Sequence, residues 1–162
     1  MQGIVYTIGY GGRKPEELVK ILKEYGVDLV VDVRRKPKGY LTVYSYPQIK
    51  GWLAKHGIDY LHEARLGNPY ETVEEYEADA ENLLGKLDLM GMLKEWGYPE
   101  RTIALLCAEK EPRRCHRRII ADWLAKFGVK IVHLTSPMFF GVRFAKPWPS
   151  AKFGEPLWSA ER

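Results

Sequence analysis

The sequence predicts an α/β fold: a mostly parallel sheet with helices on both faces, in a single domain that carries an aromatic C-terminal arm. Three observations predict this. The 162 residues fit one domain, since domains cluster at roughly 100–150 residues. Short apolar runs rich in β-branched residues alternate with segments of helical patterning, which is typical of helices covering both faces of a parallel sheet. The first strand, helix and strand follow within about 30 residues, the length of a βαβ unit.

The first predicted unit covers residues 4–33. Residues 4–8 form a short apolar run, which indicates a buried strand. A helix follows from Pro15, because proline suits the first helical turn and the two glutamates after it suit the positive end of the helix dipole. Gly26 ends that helix, and residues 29–33 form the second buried strand.

The rest of the domain, which we assign to residues 1–136, repeats this alternation. Its further strands share runs of Ile, Val and Leu and are expected at residues 58–61, 102–107 and 129–134. Its further helices are expected at residues 47–57, 71–96 and 115–127. The second of these is expected in two pieces, interrupted near Gly85 or Gly91, since glycine is unfavourable inside a helix.

Residues 137–162 differ from the domain in composition. Their aromatic side chains are interleaved with Lys, Arg, Pro and Gly: Phe139, Phe140, Phe144, Trp148, Phe153 and Trp158. This pattern predicts an extended arm that packs on the domain or on a second subunit. In the second case the protein is a homo-oligomer that forms through the arm.

Charge, hydrophobicity and cysteine content indicate which partners and which location the protein can have. The net charge of +4 permits an anionic small molecule or a nucleic acid as partner without requiring one. No apolar run approaches the roughly 20 residues of a membrane helix, so we expect no membrane association and a cytoplasmic location. The two cysteines are too few for a typical secreted disulfide scaffold, and such thiols are more often catalytic, metal-binding or buried.

Ligands of an open parallel sheet bind beyond the carboxyl ends of its strands. The residues that follow the predicted strands, together with the start of the last helix, therefore define a candidate pocket. A helix start favours an anion and lowers the pKa of a thiol, because its N–H groups are free and its dipole is positive. The predicted catalytic residues are Cys107, Glu109, Cys115 and His116. The predicted anion-binding residues are Gly9, Tyr10, Gly11, Arg34 and Arg117. We assign no cofactor and no metal ligand.

The chain also resembles a known family at these residues. The motifs are Thr7-Ile8-Gly9-Tyr10, Val31-Asp32-Val33-Arg34, Gly57-Ile58-Asp59-Tyr60, Leu66-Gly67, and Leu106-Cys107-Ala108-Glu109 followed by Cys115-His116-Arg117. In this order they resemble the domain-of-unknown-function family 488 from about residue 6 to residue 134. The resemblance implies a shared pocket and brings no established activity. The family usually has His where Tyr10 stands and Gly where Asn68 stands.

The leading hypothesis is an enzyme that acts on a phosphate-bearing substrate such as a nucleotide or a nucleic acid. One cysteine would be the nucleophile, Glu109 or His116 would move the proton, and the arginines would hold the anion. The spacing from Cys107 to Arg113 fits a phosphatase loop. The two glutamates within that loop argue against it, because they would repel phosphate.

Two alternatives stay open. Non-catalytic nucleic-acid binding would use the basic clusters and the aromatic arm. A zinc site or a redox pair would use both cysteines, although an adjacent Cys and His rarely wrap one ion well and nearby arginines oppose a cation. Plainer roles are also open: Cys107 can be a buried apolar residue, and Arg34 can simply pair with Glu109.

Overall fold

The computed structural model describes residues 3–38, 42–109, 114–135, 138–139, 142–143 and 146–149. These residues form one main sheet with helices on both of its faces, which confirms the predicted fold class.

The strands are β1 (Ile4–Gly9), β2 (Leu29–Asp32), β3 (Asp59–His62), β4 (Ile103–Cys107), β5 (Lys130–Thr135), β6 (Met138–Phe139), β7 (Val142–Arg143) and β8 (Lys146–Pro149). The α-helices are α1 (Pro15–Glu24), α2 (Gln48–Ala54), α3 (Val73–Ala78), α4 (Ala80–Leu83), α5 (Leu89–Glu95) and α6 (Arg117–Lys126). Single 3-10 turns occupy Thr42–Tyr44 and Ala64–Leu66.

The main sheet has the strand order β3-β2-β4-β1-β5-β8. The first five strands are parallel, and β8 adds antiparallel to β5 at the edge. Every residue of the central strand β4 is buried. This explains its uninterrupted apolar sequence, because a parallel strand covered on both faces has no solvent side.

One helical layer lies on each face of the sheet. On one face, Leu18 and Leu22 of α1 and Ile49 and Leu53 of α2 are fully buried against the strands. On the other face, α3 to α6 form the second layer, with Leu124 of α6 among its buried residues. Full burial of one such side chain contributes about 1.5–3 kcal/mol to stability. The two layers therefore hold the strand ends, and the residues that follow them, in fixed positions.

The predicted helix pair at residues 71–96 forms three short helices. Gly85 lies in the break between α4 and α5, as expected, whereas Gly91 lies inside α5. Asp88 accounts for this difference, since its Oδ1 accepts the N–H of Gly91 at 3.0 Å and thereby caps the start of α5.

The predicted C-terminal arm is described only in part. Its β8 segment pairs with β5, with Pro149 opposite Val132 and Lys146 opposite Thr135. Residues 150–162 and the aromatic side chains of the arm lie outside the described residues, so the packing of the arm and its role in an oligomer stay predictions. No helix in the described ranges has the length and apolar character needed to cross a membrane.

Candidate functional site

The candidate site lies where the chain leaves β1 and β4. These neighbouring strands end in register, with Gly9 opposite Cys107. After β1 the chain turns to α1 on one face of the sheet, and after β4 it turns to α6 on the other face. Two strands whose connections leave to opposite faces open a crevice at their carboxyl ends, the usual ligand position in open α/β sheets.

Three buried side chains meet in this crevice: Cys107, Cys115 and His116, which we call the thiol cluster. The Nδ1 atom of His116 lies 3.9 Å from the Sγ of Cys107 and 4.0 Å from the Sγ of Cys115. The two sulfurs and this nitrogen all lie within 4.8 Å of one another. Cys107 is 6% exposed and Cys115 is 1% exposed, and neither forms a disulfide.

The ring of His116 is held in one orientation. Its Nε2 lies 2.7 Å from the carbonyl oxygen of Val33, and the ring of Tyr76 packs with its centroid 5.0 Å away. Because a carbonyl can only accept, Nε2 carries the hydrogen and donates it. In the neutral ring the lone pair is then on Nδ1 and faces both sulfurs.

The two thiols have opposite electrostatic character. A hydrogen bond to Cys115 and burial raise the pKa of Cys107 well above its usual value. Burial by itself would raise the pKa of Cys115, but the hydrogen bond from Cys107 and the charge of Arg117 hold it well below its usual value. The backbone N–H of Arg117 also donates to the Sγ of Cys115 at 3.5 Å. The pair therefore favours a thiolate on Cys115 and a thiol on Cys107, which donates to it.

Arg117 is fully buried beside the thiol cluster. Its Nε donates to the hydroxyl of Thr7 at 3.2 Å, and its Nη1 donates to the backbone carbonyl of Glu109. The same Thr7 hydroxyl lies 2.6 Å from the Nδ1 of His133. Burial, together with the charges of Arg117 and Arg118, lowers the pKa of His133 to about 3. Sequence reasoning did not single out Thr7 as a neighbour of the site.

Arg34 lies at the same edge of the sheet but forms a separate group. Its guanidinium makes a buried salt bridge with Asp32, 2.6 Å from Nη2 to Oδ2, and donates to the hydroxyl of Tyr10 at 3.2 Å. Burial by itself would lower the pKa of Arg34, but the hydrogen bond and charge of Asp32 raise it above its usual value. Tyr60 also donates to Asp32. The carboxylate partner of Arg34 is thus Asp32 rather than Glu109. Asp32 could have been identified in the sequence, because it is a charged residue at the end of an apolar strand.

The glycine-rich turn after β1 is tied to the chain after β4. The N–H groups of Tyr10 and Gly11 donate to the carbonyls of Cys107 and Ala108, at 3.1 and 2.8 Å. The carbonyl of Gly9 accepts from the side chain of Arg13 at 3.0 Å. These bonds use the backbone donors of Tyr10 and Gly11 within the protein. The anion-binding role of Gly9, Tyr10 and Gly11 stays a prediction.

Glu109 is brought near the cluster by its backbone, while its side chain is exposed. Residues 110–113, including the arginine of the considered phosphatase loop, lie outside the described residues. The structure thus brings together Cys107, Cys115, His116 and Arg117, and holds Arg34 in a neighbouring group with Asp32. Chemically, the Nδ1 of His116 can accept a proton from either sulfur of the thiol cluster. The cluster also offers three soft or borderline donor atoms to a metal ion.

Comparison with known proteins adds the family and nothing further. The family model described as "Domain of unknown function DUF488" matches residues 14–124, more than half of the chain. The matched range contains Arg34 and the whole thiol cluster, whereas the turn at Gly9 lies before it. Neither a curated protein nor a solved structure matches the chain. The chain therefore belongs to the DUF488 family.

Proposed function

We propose that the protein is an enzyme that acts on a phosphate-bearing substrate such as a nucleotide or a nucleic acid, with the thiol cluster as its reaction centre. The observation that carries this proposal is the position of His116 Nδ1, which faces both sulfurs at 3.9 and 4.0 Å. A histidine with a purely structural role would need only its hydrogen bond to Val33. A second nitrogen that faces two thiols therefore supports a chemical role. Here the anchored nitrogen fixes the ring, so the other nitrogen can take and return a proton.

The position of the cluster supports the same proposal. It lies in the crevice between β1 and β4, where open α/β sheets bind their ligands. The helix α6 begins at Arg117, and the N–H of this first residue donates to the sulfur of Cys115. A helix start of this kind favours negative charge, whether on a thiolate or on a substrate phosphate.

The substrate class follows from charge at the same edge of the sheet. Five exposed cations lie in the chain segments after β1, after β2 and before α6: Lys14, Arg35, Lys36, Lys38 and Arg114. In this proposal they attract the phosphate-bearing substrate from solvent. Arg117 acts on the bound anion through its buried charge. Arg34 contributes less, because Asp32 compensates its charge.

Glu109 has a secondary role in the proposal. Its side chain is exposed, and its backbone carbonyl accepts from Arg117 beside the thiol cluster. The carboxylate would relay a proton between His116 and solvent. The free, buried thiols also fit a reducing compartment, so we propose a cytoplasmic location.

The test is an assay of phosphomonoesters, phosphodiesters, and single-stranded RNA and DNA with the wild-type protein and four variants. Cys107→Ser, Cys115→Ser and His116→Gln should each lower turnover by about 100-fold or more, the usual scale for loss of acid–base or nucleophilic groups. The matched control is His56→Gln, because His56 is exposed and far from the cluster in the chain. Absence of turnover in the wild-type protein contradicts the proposal, as does unchanged turnover in both cysteine variants.

A second candidate is nucleic-acid binding without catalysis. One observation favours it: Tyr46 is 49% exposed and stacks on Tyr60 with ring centroids 6.0 Å apart. Exposed aromatic rings beside lysines and arginines are typical of surfaces on which single-stranded bases stack. Fluorescence anisotropy with a labelled single strand should show affinity that falls steeply as salt rises. Affinity independent of salt contradicts this candidate.

A further inference from the structure

The thiol cluster has the composition and orientation of a metal site with three protein ligands. We propose that Cys107 Sγ, Cys115 Sγ and His116 Nδ1 bind one Zn²⁺ ion, with its fourth position taken by water or a substrate oxygen. Among the described residues these three donors form the group that can hold an ion. Two thiolates and one imidazole are a known ligand set for catalytic zinc, which keeps one position open. The proposal does not depend on the proposed enzymatic function. Because His116 Nδ1 cannot hold zinc and move a proton at once, in the zinc form the metal-bound water, and not His116, would supply the proton transfer.

The orientation of His116 is the first argument. A histidine that binds a metal through one nitrogen usually donates its other N–H to a carboxylate or a backbone carbonyl. His116 does this, since its Nε2 lies 2.7 Å from the Val33 carbonyl oxygen. The nitrogen that remains for the metal is the one that faces both sulfurs.

The distances are the second argument. With Zn–S near 2.3 Å and Zn–N near 2.0–2.1 Å, a tetrahedral site needs S···N separations of about 3.6 Å and an S···S separation of about 3.8 Å. The observed S···N distances are 3.9 and 4.0 Å, and all three atoms lie within 4.8 Å of one another. Side-chain shifts of at most about 1 Å would therefore complete the geometry. Adjacent Cys and His residues rarely bind one ion well, which argued against this site in the sequence. In the structure, the side chains of Cys115 and His116 nevertheless converge on one point.

The charge balance is the third argument. Two thiolates neutralise the ion, and any thiol that is still protonated releases its proton to solvent on binding. A hydroxide or a phosphate oxygen in the fourth position adds one negative charge. The guanidinium of Arg117 then stabilises the centre instead of opposing it. Its backbone N–H already donates to the Sγ of Cys115 at 3.5 Å. The zinc would supply Lewis-acid chemistry, either polarising a phosphoryl oxygen or lowering the pKa of its water.

The experiment measures metal directly, so its result is independent of any assay of turnover. The protein is purified without chelator, its zinc content is determined, and the metal-free protein is titrated with Zn²⁺ against a chromophoric chelator. It is also titrated with Co²⁺, whose spectrum reports thiolate ligands and tetrahedral geometry. We expect one equivalent of Zn²⁺ and thiolate-to-cobalt charge-transfer bands. Cys107→Ser, Cys115→Ser and His116→Gln should each weaken Zn²⁺ binding at least about tenfold, whereas His56→Gln should bind as the wild type does.

Three results would overturn the proposal. They are a wild-type protein that fails to bind Zn²⁺, a cobalt complex without thiolate bands, and cluster variants that retain wild-type affinity. The wild-type titrations need no variant, so they remain decisive where a substitution prevents folding. Zinc binding without turnover of any phosphate ester would contradict the proposed function and leave the zinc site standing. Turnover by a wild-type protein that fails to bind Zn²⁺ would do the reverse.

Discussion

Two buried arginines lie at the same edge of the sheet, and their surroundings differ. Arg34 forms a salt bridge with Asp32, two residues earlier in the chain. Arg117 donates to the hydroxyl of Thr7 and the carbonyl of Glu109, and its charge helps the hydrogen bond from Cys107 to hold the pKa of Cys115 well below its usual value. The charge of Arg34 is thus compensated by Asp32 at the end of β2, while the charge of Arg117 acts on the sulfurs. An arginine after a buried strand does not by itself indicate an anion site.

The largest expected effect is a loss of stability on breaking the buried salt bridge between Asp32 and Arg34. Asp32→Asn leaves the guanidinium of Arg34 buried without its carboxylate, and removing one partner of a buried pair costs about 3–5 kcal/mol. We expect a loss of this size in the free energy of unfolding, measured by urea denaturation. The matched control is Asp59→Asn, because Asp59 is 71% exposed in its salt bridge with Arg101. That surface pair should contribute less than about 1 kcal/mol. Equal losses in the two variants would mean that the Arg34 pair is not a buried ion pair in solution.

The next effect concerns His133, which Thr7 links to Arg117. Its pKa is about 3 in the folded protein and about 6.5 in an unfolded chain. As pH falls from 6.5 towards 3, the unfolded chain binds a proton that the folded protein does not. This group therefore lowers the free energy of unfolding by about 1.4 kcal/mol per pH unit. The variant His133→Asn should remove that part of the slope between pH 6 and pH 4, as measured by chemical denaturation.

Carboxylates add their own pH dependence, so the informative quantity is the difference in slope between wild type and variant. His56→Gln is the control, because His56 is exposed, and its slope should match the wild type. A His133→Asn slope equal to the wild-type slope would show that His133 titrates normally in the fold.

The smallest expected effect tests directly whether Arg34 and Arg117 differ in their action on the thiol of Cys115. Arg117→Met should raise the pKa of Cys115 in the metal-free protein, because it removes a nearby buried positive charge. Arg34→Met should leave that pKa unchanged, because Arg34 faces Asp32. Thiolate absorbance followed as a function of pH measures both, with circular dichroism to establish that each variant is folded. Equal shifts in the two variants would mean that the arginines are electrostatically equivalent.

Sequence reasoning placed the thiol cluster correctly because parallel strands end at one edge of a sheet. This rule brings Cys107 at the end of β4 near the helix that follows, and it needs no side-chain detail. It could not reveal that His116 turns one nitrogen to Val33 and the other to the sulfurs, because that depends on how α6 and Tyr76 pack. It also could not choose between Asp32 and Glu109 for Arg34, since both carboxylates follow strands that end at this edge.

Helix boundaries show the same limit. Glycine alone made Gly85 and Gly91 equal candidates for a break, and the side chain of Asp88 decides between them by capping α5. Burial was one interpretation of Cys107 in the sequence, but burial of Cys115 could not be predicted. It arises from the second helical layer, whose position follows from many apolar contacts rather than from a local pattern.

The antiparallel strand β8 has a consequence for self-association. It carries Pro147 and Pro149, which stand opposite Leu134 and Val132 of β5. Proline has no N–H, so the donors that hold β8 to β5 come from the residues between and beside the prolines. The outward rim of the sheet is left without hydrogen-bond donors at two alternate positions, and another chain cannot extend the ladder there. Two copies of this protein would therefore not join their sheets at this border.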